Sequence, residues 1–412
     1  MKYTPRWAES HIKSLFKHFP AVAVSGARQV GKSTLLKKIF PKVSDFIVFD
    51  PDTDLRQARA EPELFVRNLK WPVVLDEIQY SPQIIPALKR RIDEERKPGM
   101  VLITGSQQWP IIKNLSESMA GRVAFCDLMG FAWMESRNIK QGWFKTWLDF
   151  AVSRGNRGVP DLKSLRLNVF EYLWRGSFPE ANRLPLAQIP AFLLSYQRTY
   201  LERDARKLAD VSDWDQFVRF FRLVAALSSQ EINYSEFGRD IGINPQTAKR
   251  WLSVLKGTFQ WDEIPAFFNN AVKKVSERPK GMLCDTGLIC HLQGIGSPEA
   301  LSGHPQWGAV FETAVVNDIK KQLLNLRNPH AARLYHFRNH SGSEVDLVID
   351  MNGMLFPVEI KGKTNPTRND TRGITAFREQ YGKKAATGAV VCLCEQSHWL
   401  SEDAVAIPWD GR

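Results

Sequence analysis

The chain of 412 residues reads as an α/β protein in four parts. A P-loop core over residues 1–130 is followed by a helical subdomain over 131–225, a winged helix-turn-helix over 226–300 and a second α/β domain over 301–412. Three observations predict this. Short apolar runs alternate with amphipathic stretches through the first 130 residues, which implies a parallel sheet covered on both faces. One of those runs leads directly into a complete phosphate-loop motif. Near the C-terminus, acids fall on two further runs joined by Asn352-Gly353, a strong two-residue hairpin turn. With 43% hydrophobic and 24% charged residues, the composition excludes wholesale disorder and collagen-like repeats.

The expected core strands are Ala21–Ser25, Phe46–Phe49, Val73–Leu75, Val101–Thr104 and Val123–Leu128. After the first comes Gly26-Ala27-Arg28-Gln29-Val30-Gly31-Lys32-Ser33, a full match to G-x-x-x-x-G-K-[ST], and then a helix opened by Thr34. Phosphates require inward-pointing backbone N–H groups, and glycine lets the loop curl tightly enough to present them. Lys32 is placed to reach the β- and γ-phosphates and Ser33 to ligate Mg2+, while the helix N-terminus adds its own attraction for phosphate. The motif therefore implies nucleotide binding, with residues 26–34 as the binding loop.

The third run ends in Asp76-Glu77, the form of a Walker B segment. Asp76 is expected to hold Mg2+ and Glu77 to polarise the attacking water. The fourth ends in Thr104-Gly105-Ser106, where Ser106 is the favoured sensor of the γ-phosphate or water and Thr104 the alternative.

Residues 131–225 carry Trp, Leu, Phe and Arg at helical spacing, with a Gly/Arg-rich break at 154–160. In the next segment Ser235 is read as the cap of one helix that Gly242 ends. Asn244 caps a second helix with Pro245 at its first position. Phe237, Ile241, Ile243, Ala248, Leu252 and Leu255 are the expected core. Gln246, Thr247, Lys249 and Arg250 are left facing outward on the helix that enters a major groove in such folds. A wing over 259–280 would carry Lys273, Lys274, Arg278 and Lys280, with Lys273 and Lys274 as phosphate contacts. Winged helices also serve as protein-contact modules, so both uses stay open.

In the last domain Glu312 lies on a long amphipathic helix, Asp346 on one run and Glu359-Ile360-Lys361 on the next. That is the pattern of the PD-(D/E)xK nucleases. Strand alternation puts Glu359 and Lys361 on one face. Asp346 and Glu359 could share a divalent metal with help from Glu312, while Lys361 orients water or stabilises developing charge. Whether such a site cleaves is a separate question from whether the fold is present. The tail after Asp403, with Pro408 and Gly411, reads as loose.

The series GARQVGKSTLL, VVLDEIQ, VLITGS and Met119–Val123 resembles bacterial and archaeal AAA-type ATPases whose common C-terminal companion is a restriction-endonuclease-like domain. The resemblance continues through Tyr172–Glu180, Thr199–Asp204 and Pro279–Leu288. It implies an ATP- and Mg2+-dependent hydrolase of the AAA+ superfamily, assembled as a homo-oligomer with a hexameric ring as the family-level expectation. It also implies an arginine that reaches the neighbour's γ-phosphate; Arg122 is the candidate, with Arg175 and Arg203 as substitutes.

The net charge is +12, with nine Lys and Arg against three acids in residues 1–50 and seven against three in 151–200. Such an excess favours a polyanion partner, nucleotide or DNA. The five cysteines show no C-x2-C spacing, no run approaches about 18 apolar residues, and the N-terminus lacks a signal-peptide pattern. A cytoplasmic protein without a membrane segment is expected. The reading that results is an ATPase that remodels or translocates DNA, duplex or branched. A nucleotide-switched signalling or defence ATPase and an ATP-gated metal nuclease remain as alternatives.

Overall fold

A computed structural model describes residues 3–49, 56–106, 119–153, 158–200, 205, 214–268, 278–324, 326, 332–339 and 342–412. The first sheet has five parallel strands: β1 Ala21–Ser25, β2 Asp45–Val48, β3 Val73–Asp76, β4 Val101–Gly105 and β5 Val123–Asp127. They lie in the order β2-β3-β4-β1-β5. β1, β3 and β4 are buried along their whole length, as expected for inner strands covered on both faces. The register Ser25↔Gly105 and Ser25↔Asp127 brings the C-terminal ends of β4, β1 and β5 level. In open α/β sheets that edge is where ligands bind.

A small antiparallel sheet follows, β6 Gln230–Glu231, β7 Trp261–Ile264 and β8 Lys280–Leu283, in the order β6-β8-β7. Between β6 and β7 run the helices Tyr234–Ile241 and Pro245–Gly257, packed with Trp214–Ala226 through Phe217, Phe220, Phe237 and Trp251. The first helix is capped by Asn233, whose side chain accepts from Ser235 N at 3.2 Å, and not by Ser235 itself. Gly242 at φ 77° ends it, and Asn244 caps the second from Thr247 N at 2.7 Å, with Pro245 next.

The last sheet has six strands: β9 Ala332–Arg338, β10 Glu344–Met351, β11 Met354–Ile360, β12 Gly388–Cys392, β13 His398–Trp399 and β14 Ala404–Pro408. Their order is β13-β14-β12-β11-β10-β9. β10 and β11 form the hairpin closed by Asn352 and Gly353, both at positive φ as the tight turn requires. The tail is not loose. β14 is buried throughout and pairs in parallel with β12, and Trp409 packs edge-on against Trp133. The long helix, Trp307–Leu323, begins a turn before Glu312 and runs back toward the nucleotide half, where Asp318 accepts from Trp133 N at 3.1 Å.

None of the cysteines is in a disulfide. Among the described residues no helix is long and apolar enough to cross a membrane.

Candidate functional site: a phosphate loop and a carboxylate cluster

The loop after β1 follows from its glycines. A Cβ on Gly26 would sit 2.0 Å from the Leu128 carbonyl oxygen, and Gly31 starts the helix Lys32–Ile39 at φ 92°. Both positions exclude ordinary side chains. Lys32 is 4% exposed and folds back, its Nζ donating to the Gly26 and Ala27 carbonyls at 2.9 Å each. The Ser33 hydroxyl donates to Asp76 Oδ1 at 2.9 Å, and Thr104 Oγ1 donates to the same oxygen. Thr104 Oγ1 also accepts from Glu77 N at 3.0 Å. Thr104 thus holds the β3 acids. Ser106, the favoured sensor, instead accepts from Gln79 Nε2 at 3.0 Å, and that same amide reaches Glu77 Oε2.

The residues of 26–34 and Asp76, Glu77, Thr104 and Ser106 therefore gather at one edge of the sheet. A cleft of about 490 Å³ opens there, bounded by the loop and Glu77 on one side and by Phe131, Pro179, Arg183 and Phe192 on the other. Ser33 and Asp76 offer adjacent hard oxygens, a donor set that suits Mg2+.

Sequence motifs gave no sign of Arg6. Its guanidinium is buried and donates to Val30 O at 2.8 Å, Met129 O at 2.7 Å, Gly130 O at 3.2 Å and Glu135 Oε1 at 3.0 Å. It lies over the Phe131 ring as well, 4.8 Å from the centroid. One planar fork so ties the phosphate loop to the segment after β5.

Arg122 forms a two-point pair with Asp93 of its own chain, Nη2 to Oδ2 at 3.0 Å and Nε to Oδ1. Arg175 donates to the Ala181 and Leu184 carbonyls at 2.8 and 2.6 Å, closing the turn beside the cleft. Arg203 lies outside the described residues.

On the helix Pro245–Gly257, Gln246, Lys249 and Arg250 are exposed and Thr247 is half-buried. Lys273 and Lys274 lie outside the described residues. Lys280 belongs to the β8 strand and is turned inward, contrary to its expected place on an outer wing.

The C-terminal acids do converge. One step beyond the registered pair Leu347↔Val358, Asp346 and Glu359 stand opposite each other. Asp346 Oδ2 accepts from Ile360 N at 2.8 Å and lies 3.5 Å from Lys361 Nζ; that ammonium lies 3.0 Å from Glu359 Oε2. Lys280 Nζ sits 2.6 Å from Glu312 Oε1 and 3.7 Å from Asp346 Oδ1. Burial, with Asp346 beside it, pushes the Glu312 carboxyl up to about 7 against the pull of Lys280. Burial and the Asp346 charge also raise Glu359 well above the carboxylate range. Burial would raise Asp346, but Lys280 and Lys361 outweigh it and hold it low. Among the described residues no group of three or more His, Cys, Asp or Glu is arranged to hold a metal ion.

Residues 18–136 match a family model described as an AAA domain. Residues 166–299 and 307–410 match two domains of unknown function, DUF8612 and DUF4143. The stretch that matches the AAA domain thus includes the complete phosphate loop and the Asp76-Glu77 strand end. Among curated proteins, the uncharacterized proteins Rv2008c of Mycobacterium tuberculosis and Mb2031c of Mycobacterium bovis are each 27% identical over 98% of this chain and 83% of their own. Among solved structures, the Walker-type ATPase PABY2304 of Pyrococcus abyssi is 14% identical at a TM-score of 0.42, covering 69% of this chain and 94% of its own. The Holliday junction branch migration motor RuvB of Thermotoga maritima is 10% identical at a TM-score of 0.30, covering 66% and 94%.

Proposed function

We propose that this chain hydrolyses Mg·ATP and couples the turnover to remodelling or translocating DNA. The observation that supports the hydrolase reading is the run of contacts Ser33–Asp76–Thr104–Glu77, which joins the hydroxyl and acid assigned to the ion with the acid assigned as base beside the phosphate loop. Ser33 and Asp76 would hold the ion, which neutralises charge on the β- and γ-phosphates when bound. Lys32 would donate to phosphate oxygens of the bound nucleotide. Glu77 orients the attacking water and takes its proton, and Thr104 fixes Glu77 through its backbone N–H.

The helix order around β6, β7 and β8 supports a winged helix-turn-helix, and the exposed Gln246, Lys249 and Arg250 supply the base and phosphate contacts. The β10–β11 hairpin, extended in parallel by β12, supports a PD-(D/E)xK-like fold for the last domain. Branched DNA as substrate, a hexameric ring with Arg122 acting on the neighbour's nucleotide, and a cytoplasmic location complete the reading by family likeness. Arg122 would have to leave Asp93 to do so.

Steady-state ATP turnover, measured alone and with single-stranded, duplex and four-way-junction DNA, tests this. Stimulation by one DNA form supports the motor and names its substrate. Turnover indifferent to all of them, with ATP bound, favours a nucleotide-switched protein whose winged helix contacts proteins.

A further inference from the structure

The C-terminal cluster combines three acids with two lysines, and one lysine comes from outside the domain. Lys280 is the first residue of β8, yet its ammonium reaches Glu312 on the long helix at 2.6 Å and Asp346 on β10 at 3.7 Å. All three side chains are no more than 17% exposed. Mg2+ binds oxygens at about 2.0–2.1 Å, so an ion bridging Glu312 and Asp346 would need the space that Lys280 Nζ fills. Asp346 Oδ2 is engaged by Ile360 N and faces Lys361, which also pairs with Glu359. Every acid of the cluster already faces an ammonium, and the donor set does not fit a divalent metal.

Lys280 is also held where it is. At the other end of β8, Leu283 O accepts from Asn317 Nδ2 of the long helix at 2.8 Å, and Leu283 N donates to Ser228 Oγ at 3.0 Å. The chain after β7 joins β9 through Phe267 N to His336 O at 2.7 Å and His336 N to Pro265 O at 3.0 Å. The strand that bears Lys280 is thus fixed, and turning its ammonium away would leave two buried carboxylates facing each other, a costly arrangement.

We propose that Lys280 is a tethered cation standing where a PD-(D/E)xK nuclease would hold its metal, so that the C-terminal domain grips the small β6–β8 sheet through charge and does not cut DNA. The cluster is then a joint between the two parts of the chain. This does not depend on the ATPase reading.

Isothermal titration of the full chain with Mn2+, without nucleotide, tests it on wild type, Asp346→Asn, Lys280→Ala and the double variant. Any Mn2+ binding near Asp76 would be common to all four and cancel. The expected result is equal titrations for wild type and Asp346→Asn, and one additional saturable site in Lys280→Ala that the double variant loses. A wild-type Mn2+ site lost in Asp346→Asn, or a folded Lys280→Ala that gains no site, would overturn the proposal. Should Lys280→Ala not fold, the wild-type comparison with Asp346→Asn, repeated with Glu312→Gln, decides on its own. A site present in wild type and lost in either variant overturns the tethered cation, and identical titrations uphold it.

Discussion

The Ser33 hydroxyl donates to Asp76 Oδ1 at 2.9 Å, although 43 residues separate the two in sequence. β1 and β3 are not neighbours; β4 lies between them, and the loop after β1 reaches over its end. The two groups expected to hold Mg2+ are thus in direct contact. Lys32 Nζ lies within the same loop, donating to the Gly26 and Ala27 carbonyls. Lys32→Ala is expected to weaken ATP binding by at least about tenfold, the worth of one charge-assisted phosphate contact, and to lower the melting temperature, because the Gly26 and Ala27 carbonyls lose their donor. Fluorescent-nucleotide titration and a thermal melt check both.

Arg6 is the residue on which the loop's position depends. Arg6→Ala removes four hydrogen bonds and leaves Glu135 buried without its ion-pair partner. We expect a loss of about 3–5 kcal/mol in urea unfolding. Arg6→Lys keeps the charge but cannot serve four acceptors in a plane, so it should recover only part of that loss and still bind ATP more weakly than wild type.

The exposed cations of the helix Pro245–Gly257 allow the proposed DNA contact to be tested apart from the fold. A Lys249→Ala/Arg250→Ala double variant should melt within about 0.5 kcal/mol of wild type, because exposed substitutions cost little. Its DNA affinity should fall and the salt dependence of binding should shallow by about two phosphate contacts. Unchanged DNA affinity across a salt series would remove this helix from the interface.

Asp318 predicts a pH dependence. Burial pushes its carboxyl up to about 7, opposed by Lys321 and by hydrogen bonds from Gln322 and Trp133. Unfolded, it titrates near its ordinary value of 3.8. Between those values the folded chain keeps a proton that the unfolded chain has lost. The stability this gives is complete below about pH 4 and is lost as pH rises to about 7. Asp318→Asn cannot titrate. Its stability relative to wild type should therefore rise between pH 4 and pH 7 and level off above, by no more than about 4 kcal/mol. Paired urea melts across that range measure it.

The core strands were legible in the sequence because buried parallel strands appear as continuous apolar runs. β1 was expected at its observed bounds; β2 is shifted by one residue, β3 and β4 are one residue longer and β5 one shorter. The phosphate loop, Asp76 and Glu77 were legible because their chemistry fixes residue type and spacing together. Arg6 was not, since its acceptors are carbonyls, which any residue supplies. Lys280 looked like a wing cation because no local pattern reveals that β8 faces the acids of another domain. The tail was misread from Pro408 and Gly411 as breakers; both lie at or beyond the end of β14, where no further ladder is asked of them.

The measurement that bears most directly on the central claim is ATP turnover of wild type against Glu77→Gln, with ATP affinity determined for both. Removing a general base typically costs 10²–10⁴-fold in rate. The expected result is near-equal ATP binding, steady turnover by wild type and a loss of that order in the variant. Equal turnover by the two proteins would contradict the assignment of Glu77, and binding without turnover by wild type would contradict the hydrolase itself.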